Sequence, residues 1–264
     1  MANELVTIGQ RALAMRAERA EQLKRVSDAA KEGLFTGAPP SIGCKGTRFV
    51  VKNGITEKVL DVLQIKGVII AAKGPFDKAF YLKLFTPGDD AAPDCFSRDG
   101  ERPDPQAKDK QNGACAGCPR NCFGTGKDSQ GDPTAGKACA DSKVVALTVA
   151  ERNEDGTLLC YQFKIPPASL TGWNKYVSEL DQHGAYLPEV ITEIGFNPEK
   201  SYPQYTFKMI GTVSDELIGD VYAAMDSKAV KDIVSEKDTP ALIKADEPIT
   251  KIIEAELAAR QAPS

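Results

Sequence analysis

Residues 113–122 read Gly-Ala-Cys-Ala-Gly-Cys-Pro-Arg-Asn-Cys, and they place Cys115 and Cys118 in a Cys-x-x-Cys pair. Together with Cys95 and Cys139 these residues form the pattern C-x19-C-x2-C-x20-C. Zinc prefers thiolate ligands, and a Cys-x-x-Cys turn presents two of them from one tight loop while the other two come from distant segments. We therefore expect Cys95, Cys115, Cys118 and Cys139 to hold one structural zinc ion.

Cys122 leaves a second ligand chemistry open. The spacing Cys115-x2-Cys118-x3-Cys122, completed by the distant Cys139, is also compatible with an iron–sulfur cluster. The chain has 7 cysteines, an odd number, which suits thiolates in a reducing compartment better than a disulfide framework. Zinc remains the preferred interpretation, and Cys44 and Cys160 are interpreted as free thiols.

The segment from about residue 87 to residue 142 is rich in Gly, Pro, Asp and Lys and poor in apolar residues. Such a segment does not bury enough apolar surface to fold alone, so a metal would have to order it. On either side of it the sequence predicts short strands. The predicted strands are Thr47 to Lys52, Lys58 to Ile65, Val68 to Ala72, Ala79 to Phe85, Val144 to Ala150, Thr157 to Ile165, Glu189 to Gly195 and Tyr205 to Gly211.

Two turns and two helices complete the predicted body. Asn53-Gly54 is a hairpin signal, and Glu154-Asp155-Gly156 joins a later pair of strands. The stretch from Leu170 to Leu180 carries apolar residues at helical spacing, and Trp173 within that stripe is interpreted as a core residue. A second helix is predicted from Ser214 to about Met225, followed beyond Ser227 by a loosely attached tail with short helices at best.

These elements predict a mainly β protein with flanking helices. The arrangement fits an OB-like barrel with a zinc-bound insertion, an N-terminal helix, and a C-terminal helix followed by an acidic tail. We expect an N-terminal helix and linker at residues 1–38, the OB-like domain at 39–212 with the insertion at 87–142, and the C-terminal helix and tail at 213–264.

Charge is unevenly distributed along the chain, although the net charge is only -4. From Ile42 to Thr86 there are eight Lys/Arg against three Asp/Glu, whereas from Thr212 to Ser264 there are six against eleven. A basic body with an acidic tail is typical of proteins that bind polyanions and regulate that binding or recruit partners through the tail. An ordinary solvated surface is the alternative reading of the same counts.

The predicted strand from Ala79 to Phe85 places Tyr81, Lys83 and Phe85 on one face by its two-residue period. Aromatic side chains interleaved with lysine provide stacking surfaces for bases and a cation for phosphate. Arg48 and Lys52 share a face of the first predicted strand, and Lys45 stands at its entry. We expect all six to contact nucleic acid, unless Tyr81 and Phe85 are packed inside the protein.

Signatures of the main enzyme classes are absent from the sequence. There is no H-x-E motif paired with P-C-x-x-C, no G-x-x-x-x-G-K-[ST] phosphate loop and no G-x-S-x-G elbow. Four cysteines would also saturate a zinc ion and leave no position for a catalytic water. We expect a binding protein rather than an enzyme. Without a secretory leader or an apolar span of about 20 residues, we expect it to have no membrane association and to lie in the cytoplasm.

Several segments together resemble a family of bacteriophage and prophage single-stranded-DNA-binding proteins with a zinc insertion in an OB-like body. The matching pieces are Ser41-Ile42 with Arg48-Phe49, residues 93–100 (PDCFSRDG), 115–121 (CAGCPRN), Phe123-Gly124, 136–139 (GKAC) and 166–170 (PPASL). The resemblance implies that Cys95, Cys115, Cys118 and Cys139 are the metal ligands. Cys122 departs from the family pattern, in which that position is usually not cysteine.

The resemblance also implies a role in phage DNA replication or recombination, in the cytoplasm of a bacterial host. The expected partners are single-stranded DNA and, through the acidic tail, phage or host replication or recombination proteins; self-association is left open. A zinc-stabilised protein-interaction module is the principal alternative. An iron–sulfur accessory or redox protein is the third reading.

Overall fold

The computed structural model describes Arg19 and residues 39–54, 56–83, 92–128 and 130–235. The predicted N-terminal helix, apart from Arg19, and the predicted acidic tail from residue 236 onward lie outside these described residues, as does Phe85. The described chain from Pro39 onward forms one compact unit. No helix within it combines the length and apolar composition that crossing a bilayer requires.

Twelve strands occur in the described residues. They are β1 (Ser41–Lys45), β2 (Arg48–Asn53), β3 (Thr56–Val59), β4 (Gln64–Ala72), β5 (Asp77–Phe80), β6 (Cys95–Ser97), β7 (Gly126–Lys127), β8 (Pro133–Thr134), β9 (Ala140–Thr148), β10 (Tyr161–Ile165), β11 (Val190–Phe196) and β12 (Tyr205–Thr212). Three α-helices accompany them, namely α1 (Leu170–Gln182), α2 (Asp215–Asp226) and α3 (Lys228–Val234). Short 3-10 turns lie at Pro119–Asn121, Pro167–Ser169 and Leu187–Glu189. The mainly β class predicted from the sequence is confirmed.

The main sheet is a continuous path of strands in the order β12-β11-β4-β9-β10-β1-β2-β3. Neighbours pair antiparallel, except β1 and β10, which run parallel with Ser41 opposite Gln162. The ring centroids of Phe49 on β2 and Phe196 on β11 are 4.6 Å apart, although four strands separate β2 from β11 in the path. The sheet is therefore curled into a half-barrel.

The hollow of the half-barrel is filled by one apolar cluster and covered by α1. This helix contributes Trp173, Tyr176 and Leu180, each 4% exposed. The hydroxyls of Tyr176 and Thr192 are 2.6 Å apart, so the buried phenol group of Tyr176 has a hydrogen-bond partner. The prediction that Trp173 is a core residue is confirmed.

A second apolar layer lies on the opposite face of the central strands. The predicted helix after Ser214 is observed as α2, and α3 follows it directly. Val221, Val230 and Ile233 of these helices are buried against a cluster that includes Val68 and Val144. Strands β4 and β9 are thus covered on both faces. The expectation of a loosely attached tail beyond Ser227 is wrong for residues 228–234, because Val230 and Ile233 are buried in this layer.

The cysteine-rich region is an excursion between β5 and β9. The first residues of β9 pair with β5 and its later residues pair with β4, so that β4 and β5 follow one another along the same edge of β9. The chain leaves the sheet after β5 and returns to it at β9. We call residues 92–139 the cysteine lobe.

The predicted strands differ from the observed ones in several bounds, and the following differences bear on the site. The stretch from Lys58 to Ile65 is not one strand, because it leaves the sheet between Val59 and Gln64. Strand β1 was not predicted, and it adds the parallel pairing with β10. The predicted strand from Ala79 to Phe85 ends at Phe80, with consequences for the candidate nucleic-acid residues described below.

Candidate metal centre and nucleic-acid interface

The register of three short strands brings Cys95 and Cys139 to one face. Phe80 of β5 lies opposite Cys95 of β6, and Ala79 lies opposite Ala140 of β9, which Cys139 immediately precedes. Directly opposed residues in antiparallel strands project to the same side. Cys95 and Cys139 therefore flank Phe80, and the three side chains form one buried cluster.

Hydrogen bonds of the backbone and of the Asn121 side chain hold the Cys-x-x-Cys turn together and tie it to this face. The Cys118 N–H donates to the Cys115 carbonyl at 3.3 Å, which closes the turn. The Asn121 side-chain amide donates to the same carbonyl at 2.9 Å. The Cys139 N–H donates to the Arg120 carbonyl at 2.8 Å, so the turn and the strand entry are tied together.

All four predicted ligands line one cavity in the cysteine lobe, with about 10 Å³ of space, enough for about one water-sized sphere. Cys95, Cys115, Cys118 and Cys139 are each 7% or 8% exposed. The donor set and the burial fit a structural tetrathiolate zinc site. Within the described parts of the chain, however, no group of three or more His, Cys, Asp or Glu side chains is arranged so that it could hold a metal ion. The zinc ion therefore stays a prediction, which requires the four thiols to close further around it.

Burial raises the pKa of two of the four thiols, Cys115 and Cys139. It raises the pKa of Cys139 to about 11, against the opposing influence of Lys78. Burial also raises the pKa of Cys115, which a hydrogen bond with Ser97 and the charge of Lys78 oppose. Binding of zinc to these residues would accordingly release protons.

Two lysines and one carboxylate stand on the same side of the strands as the thiols. Lys78 lies opposite both Ser97 and Asp141 in the ladders. Its ammonium is 2.5 Å from Asp141, and that of Lys137 is 2.8 Å from the same carboxylate. Two cations for one carboxylate leave a net positive charge beside the cavity, which would favour the anionic charge of a four-thiolate zinc site.

Cys122 does not take part in the cavity. Its side chain is exposed, its thiol donates to the Cys118 carbonyl at 3.7 Å, and it is not among the residues that line the cavity. This geometry favours the set of Cys95, Cys115, Cys118 and Cys139 over a set that includes Cys122. Cys44 and Cys160 lie in or beside the two apolar clusters of the sheet.

The β1–β2 hairpin carries three of the predicted nucleic-acid contacts. Arg48 and Lys52 are exposed on the outer side of β2, as predicted, and Lys45 is exposed at the end of β1 directly opposite Arg48. Lys52 lies 3.3 Å from Glu57, which Lys45 also contacts, and Arg48 lies 3.8 Å from Asp61. Among the described residues, two carboxylates contact these three exposed cations.

The prediction for Tyr81, Lys83 and Phe85 as one strand face is wrong for the residues that the structure describes. Strand β5 ends at Phe80, and Tyr81, Leu82 and Lys83 follow it as exposed residues outside any strand. The Asp94 side chain accepts the Leu82 N–H at 2.8 Å and so removes the amide that a longer ladder would use. Leu82, which alternation placed with buried Phe80, is 57% exposed.

The two parts of the predicted interface are not adjacent in the sheet. Strands β1, β10 and β9 separate β2 from β5. At about 4.8 Å per strand, the sheet path between the Arg48 row and the strand that precedes Tyr81 is roughly 19 Å. A single strand face does not carry all six residues.

Aromatic–cation pairs in and next to the cysteine lobe are the feature that the sequence analysis missed. Four such pairs occur in the described residues, with cation-to-centroid distances of 5.0 to 5.3 Å. They are Arg98 over Phe96, Arg120 over Phe80, Lys137 over Phe123 and Lys143 over Phe76. The signal available in the sequence was Phe123, an aromatic residue in a segment with almost no apolar core to receive it.

Comparisons of this chain with protein-family models, with curated proteins and with solved structures find no match.

Proposed function

We propose that this protein binds single-stranded DNA in phage replication or recombination, without enzymatic activity and with little sequence preference. The half-barrel is interpreted as an OB-like body, and the cysteine lobe as its zinc-bound insertion. Cytoplasmic location in a bacterial host belongs to the same proposal. The curled sheet and the four-cysteine cavity support this reading of the architecture.

The observation that carries the proposal is the exposed cationic row of Lys45, Arg48 and Lys52 on the β1–β2 hairpin. The three side chains are 63%, 64% and 52% exposed, so a polyanion in solution can approach them. Ion pairs between such exposed groups contribute little and exchange readily for other partners. Phosphates would replace Glu57 and Asp61 as those partners, and each neutralised phosphate would release counterions.

Zinc has a structural role in this proposal. It would join two strand residues, Cys95 and Cys139, to the turn that carries Cys115 and Cys118, and so fix the lobe on the sheet. Four thiolates fill the tetrahedral coordination of zinc and leave no open position for a reacting water. The absence of enzymatic activity is part of the proposal on this ground.

The second candidate function is a zinc-stabilised protein-interaction module. The observation that favours it is the apolar surface of β12, which pairs only with β11 among the described strands. Met209 and Ile210 on this edge strand are 40% and 39% exposed. An exposed strand edge with apolar side chains is a surface to which another chain can add a strand.

Fluorescence anisotropy with a labelled oligo-dT, at several salt concentrations, tests the two functions. The zinc-loaded protein should bind the single strand tightly at low salt, more weakly as salt rises, and in preference to a duplex of equal length. Binding that does not respond to salt, or no binding at any salt, would reject the DNA proposal in favour of the interaction module.

A matched pair of triple variants assigns the surface. Replacing Lys45, Arg48 and Lys52 by Ala should flatten the plot of log affinity against log salt by about 2, since each lost phosphate contact removes about 0.7 for a single strand. The control replaces Lys175, Lys228 and Lys231, three exposed lysines on helices α1 and α3, and removes the same charge. Equal slopes for the two variants would show that the hairpin is not the binding surface.

A further inference from the structure

We infer that Phe123 is a stacking residue for an unpaired nucleic-acid base, and that the cysteine lobe itself is therefore a binding surface for a single strand. The inference rests on the proposed function and adds a site to it. None of the six contact residues predicted from the sequence lies within the lobe.

Exposure is the first observation. Phe123 is 79% exposed, the highest value among the exposed large apolar side chains of the described residues. Single exposed apolar side chains are common on protein surfaces, so exposure alone assigns no role. It does show that most of the Phe123 side chain is accessible to solvent.

The backbone that carries the ring is held firmly. Phe123 forms an isolated β-bridge with Lys137, and the Gly124 N–H donates to the Gly136 carbonyl at 2.9 Å. The Thr125 hydroxyl donates to the Cys122 carbonyl at 2.7 Å and accepts the Ala138 N–H at 3.0 Å. Because this backbone is already ordered, little further backbone freedom is lost when a base stacks on the ring.

A cation is fixed beside the same ring. The Lys137 ammonium is 5.0 Å from the centroid of Phe123. It is 2.8 Å from Asp141 and 3.3 Å from the Asn121 side-chain oxygen, which hold it in place. Because Lys78 shares Asp141, one carboxylate balances two ammonium groups at this point.

An aromatic ring in contact with a fixed ammonium group, that of Lys137, matches the chemistry of a single strand, in which each unpaired base adjoins a phosphate. A duplex hides both faces of its bases in the stack and does not offer the same contact. A purely apolar protein partner would gain nothing from the cations. The occupant that fits is therefore an unpaired base with its phosphate.

Tryptophan fluorescence tests the stacking directly. The native Trp173 is buried in the core, so Phe123→Trp introduces the one accessible indole among the described residues. Titration with unlabelled oligo-dT should quench this emission with the same midpoint that anisotropy gives. The matched control is Tyr186→Trp, at a 64% exposed aromatic residue before the 3-10 turn at Leu187–Glu189, and its emission should not change.

The affinity of alanine variants provides the second readout. Phe123→Ala should weaken oligo-dT binding by about 5- to 150-fold, the range of one base–aromatic stack, whereas Tyr186→Ala should change it by less than about twofold. Unchanged affinity for Phe123→Ala, or an unquenched Phe123→Trp at saturation, would overturn this site while leaving the proposed function intact. Failure of the wild-type protein to bind at any salt would overturn both.

Discussion

Glu57→Gln should make the protein bind single-stranded DNA more tightly. Glu57 lies opposite Lys52 in the β2–β3 ladder and is the shared carboxylate of Lys45 and Lys52. The hydrogen bond from Lys45, and then Lys52, holds the pKa of Glu57 below its usual value despite the opposing effect of burial. The carboxylate is therefore ionised at neutral pH, and the amide removes a full negative charge.

The size of the effect follows from the charges at the hairpin. Glu57→Gln makes the net charge of the hairpin more positive by one unit. If the added charge neutralises one more phosphate, the salt slope steepens by about 0.7. If the variant and the wild-type protein bind equally at 1 M salt, this difference in slope makes the variant bind about fivefold more tightly at 0.1 M salt and about threefold more tightly at 0.2 M.

Anisotropy titrations of oligo-dT at four or more salt concentrations measure both quantities. The control is Glu179→Gln on α1, which removes the same charge from another exposed ion pair, with Lys175 at 3.7 Å. It should leave the slope unchanged. If Glu57→Gln and Glu179→Gln give the same slope and affinity, the hairpin does not contact phosphate and the argument from its charges is wrong.

Three further predictions address the metal, the thiols and the core. Purified protein should contain one zinc ion per chain by elemental analysis. The Cys118→Ser variant should lose this zinc, whereas the Cys122→Ser variant should retain it. Loss of zinc in both variants would show that Cys122 is also a ligand. Ellman's reagent should modify Cys122 rapidly and the four cavity thiols only after chelation. Cys160 should react slowly with the same reagent, because burial raises the pKa of its thiol to about 11. Its reaction rate should rise about tenfold per pH unit between pH 8 and 10, as the thiolate forms. Fast labelling of Cys160 at pH 8 would contradict its burial. Phe163→Ala should lower the free energy of unfolding by about 3 to 5 kcal/mol in urea, since the ring is fully buried and lies 4.9 Å from that of Tyr205, and a loss below about 1 kcal/mol would show that the core refills the space.

Local patterns predicted the parts of this fold that depend on local physics. The Asn53-Gly54 turn produced the β2–β3 hairpin, with Gly54 at a φ of 57° that suits glycine. The apolar spacing after Leu170 produced α1 with Trp173 inside. In both cases the local structure is determined by residues that are close together in the sequence.

The parts that failed depend on residues distant in sequence. The end of β5 is set by Asp94, twelve residues beyond Leu82, whose side chain takes the Leu82 amide. The separation of Arg48 from Tyr81 is set by strand order, which no alternation pattern contains. The spacing of the cysteines predicted that they would meet, but only the ladders from Phe80 to Cys95 and from Ala79 to Ala140 explain where.

The excursion between β5 and β9 begins and ends on neighbouring strands. Ala79 and Ala140 face each other across one ladder, so a gap of about 5 Å would have to be bridged if the intervening chain were absent. A tight turn in place of residues 81–138 would join β5 and β9 as an ordinary hairpin. The cysteine lobe is therefore an insertion between two paired strands. Its length and content can vary without any change in the order of the strands in the main sheet.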